Sequence, residues 1–428
     1  MSNNKFIHVI NRLTFGVKPG DINQIKSIGI DNYIKGQLNP QSLPEPSFNL
    51  PNNRNKNTVQ QATELKLFRS VTSPRQLQEV MVEFWFNHFN VFSGKGIIKN
   101  LTLDYEQNAI RPNVFGKFRD LLAATSKHPA MLFYLDNWQN TAPNSPGASG
   151  RFKGLNENYA RELMELHTLG VNGGYSQKDI IELAKILTGW GFPGDKNIKN
   201  KQPTFYFNAN RHDNTDKIFL KQPIKSAGIN EGEKALDILA KHPSTARFIS
   251  YKLAQYFVVD NPPKTLVQNL AKRFQETDGN IKAVLNTLFQ SPEFTDPKFY
   301  NAKFKTPLQY LVSAIRTSGI EIKNNQKNWR PIIGLLKQLG MPIYGCITPD
   351  GYKNTQEAWL NPDGMLRRIS FATALANGRF SRGKSLDEEE LNETLGDNFS
   401  AKTKEVINTS PQKIKAALIL GSPEFMRK

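Results

Sequence analysis

Leu155 to Trp190, LNENYARELMELHTLGVNGGYSQKDIIELAKILTGW, reads as two helices joined by a glycine turn. At about 3.6 residues per turn, Asn158, Arg161, Glu162 and Glu165 share one narrow polar stripe, while Tyr159, Leu163 and Leu166 form the apolar face. Such a segment is stable only when its apolar face packs on other elements, so it commits this part of the chain to a helical assembly. Ser176 and Asp179 have the spacing of a capping box and start the second helix. Two carboxylates one turn apart on one face repel each other unless a cation, a metal or a shared proton stands nearby. The stripe is therefore also the first candidate for a site.

The same periodicity runs through the chain, and the expected fold class is mainly α: a multi-helix globular protein with one small β-hairpin. Short helices are expected at 3–14, 19–27 and 30–38, followed by a Pro/Asn/Ser-rich loop from Pro40 to Asn57. Further helices are expected at 58–71, 74–91, 98–110 and 115–127. HPAMLFYLDN begins another, because proline suits a first helical turn. Asn140 to Gly154 reads as a loop. TFYFNAN and DKIFLKQ, separated by RHDNT, are β-like and predict the hairpin within 203–224. Helices resume at 231–241, 243–258, 264–275, 279–289, 305–317 and 363–377, with an irregular stretch from Met341 to Pro362. This divides the chain into an N-terminal helical segment and loop (1–57), a main helical domain (58–380) and a C-terminal helical extension (381–428). No fixed repeat period is present.

The chain of 428 residues carries 56 basic and 38 acidic side chains, a formal charge of +18 that favours anionic polysaccharide or another polyanion as partner. A general role in solubility is the alternative. The single cysteine, Cys346, excludes disulfide scaffolding and cysteine-based zinc sites within one chain. The N-terminus shows no signal-peptide core, and no stretch reaches the roughly 18 apolar residues that span a bilayer. On this reading the chain is cytoplasmic.

Six histidines are candidates: His8, His88, His128, His167, His212 and His242. His128 and His242 precede proline where helices begin, and can cap those helices; His128 also has Asp136 about two turns further on. His88, in FWFNHF, is either a core histidine or, with Asn87, the polar handle of an aromatic pocket. Glu162 and Glu165 give Glu-x-x-Glu where a carboxylate-bridged metal pair needs Glu-x-x-His, and His167 lies about 140° round the wheel from Glu162. His167 can join them only if the helix ends near Leu166. The set put forward as catalytic is Glu162, Glu165, His128 and His167. Paired carboxylates suit glycosidic cleavage, one as acid and the other as base or nucleophile. The structural alternative pairs them with Arg111, Arg119 or Arg161 in an Arg–Glu network. Arg211, His212 and Asp213 form a polar loop able to meet an anion, alternatively an ordinary turn. Asp350, Tyr352 and Trp359 are groups that often contact sugars, alternatively a turn that packs Trp359 inward. With His88, Asn158 and Arg161, these complete the binding candidates. Metal and cofactor stay unassigned.

Taken in order, RLTFG (12–16), FWFNHF (84–89), YEQNAIRPNVFGKFRDLL (105–122), HPAMLFYLDN (128–137), NENYARELMELHTLGVNGGY (156–175), LTGW (187–190), RHDNTDKIFL (211–220), HPSTARFISYKL (242–253) and PDGYKNTQEAWLNPDGMLRRI (349–369) resemble the bacterial domain-of-unknown-function family 1800. The resemblance implies a helical fold and no particular activity. It also implies a setting in the envelope or outside the cell, and a sulfatase-like partner protein; this chain departs from the exported relatives by lacking an export signal.

Phosphate-loop, dinucleotide, zincin, haem-attachment and nucleophile-elbow motifs are all missing. The functional expectation is an enzyme, a possible hydrolase, acting on a carbohydrate-like or anionic polymeric substrate through a Glu/His site. The alternatives are a noncatalytic binding or assembly protein with a structural Glu–Arg network, or a polyanion binder.

Overall fold

The structure, a computed structural model, describes residues 3–45, 58–193, 203–321, 326–380, 383–396 and 398–428. Most of the expected Pro40–Asn57 loop lies outside the described residues. The chain is mainly α, with 22 α-helices among the described residues and two small antiparallel strand pairs. No described helix is long and apolar enough to cross a membrane.

The amphipathic pattern places helix after helix around one apolar core that runs from Phe6 to Met426. Caps fix where helices start. His128 and His242 each accept a hydrogen bond from the backbone amide two residues on, at 3.1 Å, ahead of Pro129 and Pro243. Ser176 and Asp179 form the expected capping box. The helix expected over 98–110 changes character: Ile98–Asp104 is α-helical, and Tyr105–Ile110 winds as a π-helix. A helix that the sequence pattern did not reveal spans Gln326–Gln338 despite an internal Pro331. It is held by Trp329, Ile332 and Leu336, all buried on one face.

The hairpin is a correction in detail. Tyr206–Phe207 does not pair with the following β-like run. It pairs with Trp190–Gly191, while Lys217–Phe219 pairs with Gln222–Ile224 in a tight hairpin of its own. Leu220 and Lys221 turn that hairpin at positive φ of 47° and 63°, a conformation costly for such residues and invisible to turn propensities. Trp190, expected at a helix end, is fully buried against Gly232, where an added Cβ would meet its ring at 2.0 Å.

One buried charge cluster ties the Thr58–Thr72 helix to the π-helix and to the 341–355 loop. Glu106 accepts from Lys66 at 3.1 Å and from the Tyr344 hydroxyl at 2.7 Å, with Arg111 3.9 Å away. Arg111 itself forks onto Glu79 at 2.7 and 2.8 Å. Burial pushes the Glu106 carboxyl up, but the Lys66 and Arg111 charges outweigh it and hold it below the ordinary range. Breaking a buried pair typically costs about 3–5 kcal/mol. Glu106→Gln should therefore lower the melting temperature markedly, whereas Glu157→Gln, which loosens a half-exposed pair with Arg161, should cost at most about 1 kcal/mol. Equal thermal melts for the two variants would show that the cluster does not hold the fold.

Candidate functional site

Five segments meet around a cleft of about 470 Å³. The Gln76–His88 helix contributes Glu83, Phe84, Asn87 and His88. The end of the Asn158–Glu165 helix contributes Glu165. The Pro243–Phe257 helix contributes Phe248, Tyr251, Lys252 and Tyr256. Thr306 and Gln309 come from the start of the Pro307–Thr317 helix, and Asp350 and Tyr352 from the 341–355 loop. Aromatic rings alternate with polar and charged side chains around its walls. Two larger hollows, about 710 and 650 Å³, lie between Pro19 and the C-terminal helices. Neither contains a histidine or any residue expected from the sequence to form a site, so size alone does not mark the chemistry.

The loop wall is held by asparagine side chains. Asn87 donates to the Tyr352 carbonyl at 2.8 Å and accepts from the Tyr352 amide at 2.7 Å. Asn90 donates to the carbonyls of Cys346 and Thr348 at 3.0 and 2.8 Å, and the Tyr134 hydroxyl donates to that of Ile347 at 2.6 Å. Gly351, at φ 71°, lies so close that an added Cβ would meet the Asn87 carbonyl at 2.2 Å. Both the backbone conformation and the approach demand glycine there.

The structure sorts the sequence-derived candidates into two groups. His88, Glu165, Asp350 and Tyr352 line the cleft. Glu162, one turn before Glu165, stands beside it: burial, then the Glu165 charge, then that of Asp350 push its carboxyl up, while Arg161 opposes them. Asp350 goes the other way. Burial would raise it, but the hydrogen bond from Lys353 at 2.6 Å leads the contacts that bring it below the usual carboxylate value. Arg161 pairs with Glu157 at 3.2 Å and Glu165 at 3.6 Å. The other arginines are engaged elsewhere: Arg111 meets Glu79, and Arg119 meets Glu233 and Asp237. A buried Arg–Glu network does exist, but Glu79 and Glu106 carry it, not Glu162 and Glu165. Asn158 spends its amide on the Leu135 carbonyl at 3.1 Å. The Tyr352 hydroxyl donates to Pro342 at 2.8 Å. Trp359 is buried against Tyr352 and donates to the Lys353 carbonyl at 2.8 Å.

The second group stands apart. His128 has both ring nitrogens occupied, one by its capping bond and the other by Asp104 at 2.9 Å. His212 is buried between the Thr188 carbonyl and Glu231, each at 3.0 Å, and Lys217 reaches the same carboxylate at 2.6 Å. Arg211 donates to the Trp138 carbonyl at 3.0 Å and stacks on Phe152. Asp213 closes a turn onto Thr215. These side chains lock the strand region together, and none lines the cleft.

The helix does end at Glu165, yet His167 turns inward rather than toward Glu162 and is buried behind the cleft. His88 donates Nε2–H to the His167 carbonyl at 3.0 Å, which leaves its Nδ1 buried without a partner. Burial and then the Lys252 charge hold both rings neutral, His167 down to about 3. Lys252 is the residue that sequence reading missed. It sits in HPSTARFISYKL, one turn after Phe248 and beside Tyr251, so the visible signal was a lysine on an aromatic helix face. Burial pulls its ammonium down to about 8, with Asp350 opposing and Lys353 assisting. Among the described residues no three His, Cys, Asp or Glu side chains converge as a metal requires.

The model of the family described as a protein of unknown function (DUF1800) matches residues 8–427. The chain belongs to the DUF1800 family. No curated protein and no solved structure matches it. The DUF1800 match spans all five segments that build the cleft.

The buried histidines set a pH dependence. His8, buried and bonded to the Phe294 carbonyl at 2.7 Å, is held down to about 3, as is His167, with His88 also well below its ordinary value. An unfolded ring takes its proton near 6.5. Between about pH 6.5 and 3 the unfolded chain therefore binds more protons, and each such ring removes about 1.4 kcal/mol of stability per pH unit as pH falls. His167→Gln should flatten the slope of stability against pH in this window by about one proton, measured by denaturant unfolding at stepped pH. An unchanged slope would mean that the ring is not held neutral.

Proposed function

We propose that this protein is a hydrolase of carbohydrate-like substrates, with Glu162 as general acid and Asp350 as the base or nucleophile. One observation carries the reading: Glu162, one turn from the cleft-lining Glu165, is pushed up by burial, by Glu165 and in part by the Asp350 charge, whereas Asp350 on the cleft wall is brought down, against burial, by its contacts with Lys353 and Thr348. Environments that separate two titrating groups are what assigns acid and base roles at one pH. Glu165, on the cleft wall, raises Glu162 further by its negative charge. Phe84, Phe248, Tyr251 and Tyr256 supply ring faces against which a sugar can lie. The acid comes from the stripe foreseen in the sequence. The base comes from the loop, and the histidines serve as a neutral, buried support.

The formal charge of +18 favours a sugar that carries an anionic group. A sulfated or otherwise acidic envelope polysaccharide would also suit the sulfatase-like partner implied by the family resemblance.

Cleavage of acidic and neutral oligosaccharides, followed by release of reducing ends, tests the proposal. Activity should require Glu162 protonated and Asp350 ionised. The rate should then fall as pH rises through the raised Glu162 value, and fall again as pH drops through the lowered Asp350 value. Glu162→Gln and Asp350→Asn should each lose about 10²–10⁴-fold in kcat, the usual worth of a positioned acid or base, with melting temperatures near that of the unaltered protein. Full activity in either variant would remove that residue from the mechanism.

A further inference from the structure

The fold shows what it does with a buried lysine that serves structure. Lys66 meets Glu106 at 3.1 Å, Lys217 meets Glu231 at 2.6 Å, and Lys303 pairs with Asp260. Each ammonium is taken out of water and given a carboxylate, which is how a buried charge becomes tolerable. Lys305 and Lys428, also buried, have no carboxylate among the described residues; Lys305 donates to the Ser313 hydroxyl at 2.8 Å and Lys428 lies over the Tyr256 ring at 4.6 Å, and neither lines the cleft. Lys252 differs from all of these in facing the cleft. Its side chain is largely withdrawn from solvent and lines the cleft, yet among the described residues no carboxylate stands at ion-pair distance from its Nζ and no acceptor bonds it. Its one direct neighbour of note is the Phe248 ring, whose centroid lies 5.3 Å away. The three cleft carboxylates are committed elsewhere, Asp350 to Lys353 at 2.6 Å, Glu165 to Arg161 at 3.6 Å and Glu83 to Lys66 at 3.2 Å.

An amine without a partner, on an apolar wall, facing a cavity large enough for a ring-sized molecule, is the arrangement of a nucleophile. We propose that Lys252 captures an aldehyde or ketone in this cleft as a covalent imine. The proposal rests on the cleft alone and stands or falls separately from the acid–base roles of Glu162 and Asp350. The ligand class is a carbonyl compound with an apolar or ring-shaped body, such as an aromatic aldehyde.

The chemistry balances without a redox partner. The Nζ lone pair forms the C–N bond, and the carbonyl π pair moves onto oxygen, which takes a proton relayed by Glu165. Nitrogen gives up its surplus proton to the same carboxylate. The carbinolamine oxygen takes a second proton from solvent and leaves as water while the nitrogen lone pair forms the C=N bond, and the iminium so formed returns one proton to solvent to give the imine. Amine and carbonyl become imine and water. The lowered ammonium supports the step: at about 8, Lys252 holds about two orders of magnitude more free amine at neutral pH than a lysine at its ordinary value.

The test uses the full chain, benzaldehyde as probe and cyanoborohydride to fix any imine as a stable secondary amine, with each lysine followed by peptide mass spectrometry. Lys252 should label at least tenfold faster than the exposed Lys272 at pH 7, with its rate levelling off above about pH 8. Glu165→Gln should slow labelling of Lys252 and leave Lys272 unchanged, which a merely structural role for Glu165 would not do. Lys252→Arg should abolish the fast site while the other lysines label as before. Because Lys272 is an internal standard in the unaltered protein, a poorly folding variant does not blunt the test. Labelling of Lys252 no faster than Lys272, or a rate that keeps climbing to pH 10 as for an ordinary amine, would overturn the proposal.

Discussion

The cleft exists because the Asn87 amide takes the place of a strand. Its side chain offers one donor and one acceptor, and both are used on the backbone of Tyr352, at 2.8 and 2.7 Å. This pairing fastens an irregular loop to a rigid helix as a sheet ladder would, and satisfies peptide groups that a half-buried loop would otherwise leave without partners. Asn90 repeats the device one turn later, at Cys346 and Thr348. Gly351 permits the close approach, and the Tyr344 hydroxyl anchors the near end of the loop on Glu106. The polar residues of the FWFNHFN run thus build one wall of the site, and Asp350 is placed by that wall.

Charge in this protein separates by whether it is paid for in contacts. Glu106, Glu79 and Glu231 are buried and saturated by lysine, arginine or histidine. Such clusters fix geometry at a desolvation cost and are strained by losing any member. Around the cleft the balance is left open. Glu162 is raised by burial and then by the Glu165 and Asp350 charges, Asp350 is lowered, and Lys252 lacks a direct counter-charge. Behind them His88 and His167 stay neutral, because burial and the Lys252 charge both disfavour imidazolium. Unsatisfied electrostatics concentrated at one concave place are what distinguishes a working site from a structural network.

The helices and the polar stripe were legible because a 3.6-residue period leaves its mark in any amphipathic segment. The strand pairing was not: Tyr206–Phe207 and Lys217–Phe219 are too short for a period to choose their partners, and contacts with Trp190 and Ile224 decide them. Histidine roles were legible in part. His128 does cap a helix, as its place before Pro129 suggested, and His88 is both a core residue and a cleft residue. The inward turn of His167 depends on the backbone after Leu166, which a helical wheel cannot show. Asp350 was visible as a candidate sugar contact on a loop, with no partner to give it a role, and Lys252 not at all, since a lysine on a helix ordinarily reads as solvated. Their meeting is a product of the asparagine clasp, a contact between residues more than 250 positions apart in sequence.

The separation of the two carboxyls is the central claim, and carboxyl-carbon NMR titration of selectively labelled protein measures it directly, with Glu162→Gln and Asp350→Asn spectra giving the assignments. The account predicts that Glu162 titrates above the ordinary glutamate value of 4.5 and Asp350 below the ordinary aspartate value of 3.8, and that removing Asp350 brings Glu162 down. Two carboxyls titrating together in the ordinary range, each indifferent to loss of the other, would contradict it.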